Sequence, residues 1–235
     1  MIGNQWIDSL PPADRARLIP ELDEVAFERG RMIYDSGQDV DQVWFPTAGV
    51  VSLMTILDRD RMVETAAIGP EGLVGVTCGP LNGRASSRAI AQTSGRAGCL
   101  KAETFSRAMA ESSAIREALA RYTEGLFAQV QQVAACNAQH KLDERFARWL
   151  LMLQDRAGTP RLELTQESVA EMLGVRRATV SEVESRLEDR DLIRRGRGVV
   201  EVLDRKGLER ASCACYGAIQ RIARELDVAP TAGAA

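Results

Sequence analysis

The chain has 235 residues, 45% hydrophobic and 27% charged, with a formal net charge of −3. That balance fits a globular chain long enough for two modest domains, and it excludes a disordered or low-complexity protein. No apolar run approaches the roughly 20 residues that a membrane-spanning helix needs.

The charge is unevenly spread. Residues 1–138 carry 13 Lys and Arg against 17 Asp and Glu, while residues 139–235 carry 17 against 16, and seven arginines fall between Arg176 and Arg197. Such a cluster suits either a nucleic-acid surface or a solvated helix face. The five cysteines, Cys78, Cys99, Cys136, Cys213 and Cys215, are an odd number, which argues against a disulfide framework. The start, MIGNQWIDSLPPADR, lacks the basic stretch and apolar core of a signal peptide, so the expected location is the cytoplasm, with no membrane partner.

Taken in order, Trp6 to Leu22 carries helix-spaced apolar residues interrupted by Pro11 and Pro12 and predicts one or two short helices. Residues 25–100 change character. Short β-branched and aromatic runs (Met32–Tyr34, Val43–Phe45, Val50–Leu57, Met62–Ile68, Ala89–Gln92) alternate with turn signals at Ser36-Gly37, Thr47-Ala48-Gly49, Asp58–Arg61, Gly69-Pro70 and Asn82-Gly83. Closely spaced short strands predict an antiparallel sandwich, roll or barrel whose interior has room for one small ligand. From about Phe105 the period becomes helical. Ile115, Leu119, Tyr122, Leu126, Val130 and Val133 lie on one stripe of a helix 20–25 residues long. The stripe is either core or a seam against a second copy of the chain, and we read it as the seam of a homodimer. A second helix turns Leu142, Phe146, Trp149, Leu150 and Leu153 inward and stops at Gly158 and Pro160.

The most informative stretch is 162–203. Thr165 is a good N-cap, with Glu167 in the positive first turn, and Val169, Met172 and Leu173 form an apolar face. Gly174 supplies the left-handed stop, and a second helix begins near Arg176 and buries Val180, Val183 and Leu187. Leu192-Ile193 and Val199–Leu203 flank polar Arg194–Gly198 as a hairpin. Two short helices joined by a glycine turn and followed by a hairpin describe a winged helix-turn-helix. Its chemistry suits DNA. Arg176, Arg177, Thr179, Ser181 and Glu182 lie at the start of the second helix, where base edges and phosphates would be met. Thr165 and Gln166 open the first helix, and Arg194, Arg195 and Arg197 of the wing would reach the sugar-phosphate backbone. The competing reading is a winged helix used for protein contacts in a ligand-binding regulatory module.

LTQESVAEMLGVRRATVSEVESRLEDRDLI resembles the helix-turn-helix of the Crp/Fnr family of bacterial transcription regulators. RGRMIYDSGQDVDQVWFPTAGVVSL and AAIGPEGLVGV resemble that family's β-roll. The resemblance implies an α+β fold. An antiparallel, cyclic-nucleotide-binding-like β-roll spans residues 1–110, a dimerisation helix 111–138, a winged helix-turn-helix 139–227 and a disordered tail 228–235. It also implies a homodimer on near-palindromic DNA, with RNA polymerase as a further partner and a non-enzymatic function. Arg177 falls where the family places a guanine reader and Thr179 where it meets phosphate; Ala178 and Glu182 depart from the family's best-known readers.

The sensor departs from the cyclic-nucleotide pattern. Val74-Gly75-Val76 lacks the ribose carboxylate, and in Arg84-Ala85-Ser86-Ser87-Arg88 an ungapped alignment puts Ala85 on the phosphate arginine. The effector is therefore unassigned, with Arg84, Ser86 and Arg88 as candidate anion contacts, and a ligand-free sensor stays open. No cysteine precedes Cys78, against the family's N-terminal iron–sulfur cluster. His140, the single histidine, reads as structural rather than a haem ligand, and one residue between Cys213 and Cys215 is short for tetrahedral chelation, so buried thiols are the reading, with a redox pair or metal site at these cysteines as the alternative. No cofactor, metal or catalytic residue is assigned; one histidine and no phosphate-cradling glycine motif leave no enzyme signature.

Overall fold

The computed structural model describes residues 2–58, 61–76 and 83–226. The sequence features at Cys78, at Asn82 and in the tail 228–235 lie outside them, as do two residues of the Asp58–Arg61 turn.

The first half is a β-roll of two antiparallel sheets. β1 (Asp23–Phe27), β7 (Gly95–Lys101) and β3 (Gln42–Ala48) form one sheet in the order β1-β7-β3. β2 (Met32–Tyr34), β6 (Arg88–Ala91), β4 (Val51–Asp58) and β5 (Arg61–Ile68) form the other, in the order β2-β6-β4-β5. Alternation drives this arrangement: Val43, Phe45, Val51, Leu53, Ala89 and Ala91 turn inward and are buried. β1 and β7 do not announce themselves in sequence. β7 reads GRAGCLK, with two glycines, yet it is the central strand of its sheet, and Leu22 packs directly over Gly98.

Two short helices, α1 (Gln5–Ser9) and α2 (Pro12–Leu18), close one end of the roll. Asn4 caps α1 through the Ile7 N–H and is itself fully buried, donating to Pro46 O and Gly72 O at 2.8 and 2.9 Å. Trp6 sits 5.9 Å, centroid to centroid, from both Phe45 and Phe105. Aromatic burial of this kind is the largest apolar payload in the roll.

α3 (Ala102–Glu111) leads into the long helix α4 (Ser113–Gln139), which Ser112 caps by accepting from the Ile115 N–H. α4 packs its predicted stripe on its own roll. Ile115, Tyr122, Leu126 and Val133 are buried within one chain, and the Tyr122 hydroxyl donates to Leu73 O at 2.8 Å. Four of the six residues read as a dimer seam thus pack first within their own chain. A helix lying on a roll needs one apolar stripe for its own domain before it can offer another to a partner, and sequence periodicity does not say which is which. Leu119 and Val130, the other two seam positions, are half-buried against the roll.

The second half begins one turn later with α5 (Leu142–Ala157), ended by Gly158 at φ 66°. It carries α6 (Gln166–Leu173), α7 (Arg177–Glu188), the strands β9 (Ile193–Gly196) and β10 (Val199–Val202) with the short β8 (Arg161–Leu162), then α8 (Arg205–Ala211) and α9 (Cys215–Glu225). The two halves share a core: Val50, Met54 and Ala67 of the roll join Phe146, Trp149, Leu150 and Leu173. Polar bonds cross the same boundary. Trp149 Nε1 donates to Glu64 Oε1 at 2.9 Å, and the Ser52 hydroxyl donates to the other oxygen of this buried carboxylate. Arg156 Nε meets Glu71 Oε1 at 2.6 Å with both side chains only 6% exposed, and Arg156 also donates to Gln129 Oε1 on α4.

Candidate nucleic-acid interface

Local chemistry sets the geometry of the two helices. Thr165 accepts from the Ser168 N–H, while Ser168 Oγ accepts from the Thr165 N–H, so the first turn of α6 is capped in both directions. Gly174, at φ 65°, ends α6 in the left-handed conformation that only glycine adopts cheaply. The chain then turns through Val175 and enters α7 at Arg176. Val180, Val183 and Leu187 anchor α7 on the core, which leaves its opposite face outward.

That outward face carries the predicted residues. Arg176, Arg177 and Glu182 are exposed; Thr179 and Ser181 are half-exposed beside them. Arg177 Nε approaches Gln166 Oε1 at 3.4 Å, and Gln166 in turn donates to Glu184 Oε2 at 2.9 Å. This chain of contacts holds Arg177 extended from the helix start. Glu184 is buried, and burial raises its carboxyl above the usual glutamate range.

The wing is β9–β10 in antiparallel register, with Arg195 opposite Val200. Arg194 pairs with Glu201 at 3.1 Å and remains mostly exposed. Arg195 is more constrained: its backbone N–H and its guanidinium both reach Glu188, and these bonds hold that carboxyl below the usual range. Arg197, at the tip, is exposed and makes no intramolecular ion pair among the described residues. Between α6, α7 and the wing lies an open groove of about 580 Å³ whose walls include Thr165, Gln166, Arg177, Arg195 and Arg197. The groove thus gathers five of the ten predicted DNA contacts, with Arg176, Thr179, Ser181 and Glu182 elsewhere on α7 and Arg194 on the wing beside it.

The roll treats its candidate anion contacts differently. Arg88 is bound to Asp35 through two bonds of 2.7 and 2.8 Å. Arg84 is 77% exposed and faces Asp39 at 3.6 Å. A cleft of about 290 Å³ does lie between β4, β5 and α4, lined by Leu53, Thr55, Thr65, Ser86, Ser87, Thr123, Leu126, Phe127 and Val130. Of the three candidate anion contacts, Ser86 belongs to it, while Arg84 and Arg88 lie outside its lining. Asp35, which claims Arg88, lies 53 positions away in sequence, beyond the reach of any local pattern.

Two features escaped sequence reasoning. Ala120, Thr123, Phe127 and Ala134 are exposed at helical spacing on the outer face of α4, and Phe127 is 61% exposed. Their spacing was a readable signal, masked by the stronger inner stripe. The second is the convergence of Cys136, His140, Cys213 and Cys215.

The fold and the groove define a winged-helix DNA-binding transcription regulator. Residues 144–211 match the Crp-like helix-turn-helix domain. The chain is 24% identical over 177 residues to the global nitrogen regulator of Synechococcus elongatus, covering 71% of this chain and 79% of that one. FixK2 from Bradyrhizobium japonicum shares the fold at a TM-score of 0.71 with 19% identity, covering 82% of this chain and 98% of that one. A Crp/Fnr-family regulator from Eubacterium rectale does so at 0.69 and 19%, covering 87% and 95%. Residues 144–211 are thus a Crp-like helix-turn-helix domain, and the chain shares its overall fold with regulators of the Crp/Fnr family. No helix among the described residues is long and apolar enough to cross a membrane.

Proposed function

We propose that two copies of this chain pair along α4 and read a near-palindromic DNA site. Each α7 enters one of two successive major grooves about 34 Å apart. The observation that carries this reading is the exposed start of α7, where Arg176, Arg177, Thr179 and Ser181 share one face beside the basic wing. Arg177 donates to a guanine edge, a contact worth about 1–3 kcal/mol of discrimination. Thr165, Gln166, Thr179 and Ser181 take phosphate or base contacts, and Arg194, Arg195 and Arg197 supply the salt-sensitive backbone attraction. Glu182 accepts from cytosine N4.

Pairing uses the outer stripe of α4, centred on Phe127, rather than the inner one. Phe127 and Val130 also line the 290 Å³ cleft. A small effector there would touch the roll and the dimer helix at once and would bias how the DNA-reading units are presented. The cleft's lining is apolar and hydroxyl-bearing, which fits a small, weakly charged effector better than a cyclic phosphate. In the cytoplasm, RNA polymerase is the remaining partner that this role implies.

The test is selection of DNA sequences by the purified chain without added ligand, at two salt concentrations. A two-fold symmetric site with half-sites one turn apart is the expected result. Weak, sequence-blind, salt-labile binding at both salts, with and without cell-derived small molecules, would overturn the reading.

A further inference from the structure

Four potential metal ligands from two distant segments meet behind the DNA-reading unit. Cys136 and His140 lie one turn apart at the end of α4, and Cys213 and Cys215 flank the start of α9. All four donor atoms, three sulfurs and one imidazole nitrogen, lie within 4.8 Å of one another. Cys136 Sγ and Cys213 Sγ are 3.4 Å apart, and Cys215 Sγ is 3.5 Å from His140 Nδ1. The three cysteines are buried and His140 is half-buried.

We infer that Cys136, His140, Cys213 and Cys215 form a structural zinc site that clamps the end of the long helix to the C-terminal helices of the winged-helix unit. A tetrahedral zinc with sulfur at about 2.3 Å and nitrogen at about 2.0–2.1 Å places its ligands roughly 3.5–3.8 Å apart. The observed separations bracket that size. An iron–sulfur cluster needs its thiolates spread around a body several ångströms wide, and four donors this close leave no room for one. Three thiolates and one imidazole are a donor set suited to zinc.

The surroundings fit the charge of such a site. Three thiolates, a neutral imidazole and a dication leave one negative charge, and the guanidinium of Arg145 lies close enough to Cys136 and Cys213 to interact with both. Arg145 donates to Leu173 O at 2.8 Å, and its Nε is buried with no hydrogen-bond partner among the described residues. Gln132 Nε2 donates to Cys215 Sγ at 3.0 Å. Such second contacts hold thiolate ligands in place. The single residue between Cys213 and Cys215 suffices because Ala214 turns helically and brings the second sulfur back beside the first.

Cys136 and Cys213 are 77 positions apart, and the loop between them contains all of α5, α6, α7 and the wing. The zinc therefore fixes how that whole unit sits on α4. The metal content is independent of the DNA reading; only the consequence for DNA rests on it.

The test is elemental analysis of the full chain purified without chelator, followed by exchange of its metal for Co2+. The expected result is about one zinc per chain and a cobalt spectrum with thiolate-to-metal charge transfer and tetrahedral d–d bands. Cys213→Ser together with Cys215→Ser should lower zinc content on the order of tenfold, whereas Cys99→Ser, in the roll, should leave it unchanged. Chelation and zinc re-addition on the unaltered chain supply a second arm that does not depend on the double variant folding: Tm should fall with chelator and return with zinc. Absence of stoichiometric metal, iron in place of zinc, or a Cys136–Cys213 disulfide in the chain as purified would each overturn the site. Stoichiometric zinc in a chain that fails to select DNA would leave the site standing and refute the DNA reading instead.

Discussion

Replacing Phe127 by alanine tests the pairing of two chains. Phe127 is 61% exposed on the outer stripe of α4. A phenylalanine presents about 200 Å² of apolar surface, so roughly 120 Å² is free to be buried by a partner. At about 25 cal/mol per Å² that burial contributes close to 3 kcal/mol per copy, of which alanine would retain a small part. A two-fold axis counts the residue twice, so the dimer loses about 5 kcal/mol, between three and four powers of ten in Kd. Sedimentation across a wide concentration range reads this directly, and circular dichroism checks that the helix persists, as it should since alanine is the better helix former. An unchanged dimer Kd in the variant would refute the outer-stripe interface. A chain that is monomeric even before substitution would refute the homodimer.

Three further outcomes follow from the described geometry. Arg177→Ala should cost about 1–3 kcal/mol on the selected site and relax one base position, whereas Arg197→Ala should weaken all sequences alike and shallow the salt dependence by about one unit, both read by binding titrations at several salt concentrations. Glu71→Ala should destabilise the chain by about 3 kcal/mol in denaturant unfolding, because it strips the partner from a buried Arg156. Glu188→Gln should flatten stability in acid. The Arg195 bonds hold the Glu188 carboxyl below its unfolded value, so its contribution is complete above the ordinary glutamate range and is lost as pH falls through the depressed folded value. Urea midpoints measured from neutral pH downward should drop in the parent and lack that component in the variant.

The DNA-reading unit was the most legible part of the sequence because its boundaries are set by local chemistry. Thr165 caps, Gly174 and Gly158 stop, and the wing's arginines sit between two apolar runs, each within a few residues of what it controls. The roll was legible where strands alternate, as in β3 to β5, and silent at β7, whose glycines are needed because a side chain at Gly95 would meet Ala48 O and one at Gly98 would press on Leu22. The period of α4 was legible but not its direction: one helix offers two stripes, and only packing assigns Tyr122 to Leu73 and leaves Phe127 outside. Pairings across long sequence distances were invisible. Arg88 with Asp35, Arg156 with Glu71, and the meeting of Cys136 with Cys213 depend on the finished topology.

Arg156 is where three parts of the molecule meet: Glu71 in the turn after β5, Gln129 on the long helix, and its own place near the end of α5. A buried charge so placed does not yield by degrees. A small tilt of α5 against α4 would lengthen bonds between side chains only 6% exposed, and the energy would climb steeply until the guanidinium escaped altogether. On the proposed function, the joint between the roll and the DNA-reading unit would behave as a latch and not as a spring. Populations on either side of it would change in proportion, while intermediate angles would stay empty, so graded occupancy of the roll would appear at the DNA as a graded number of fully released readers.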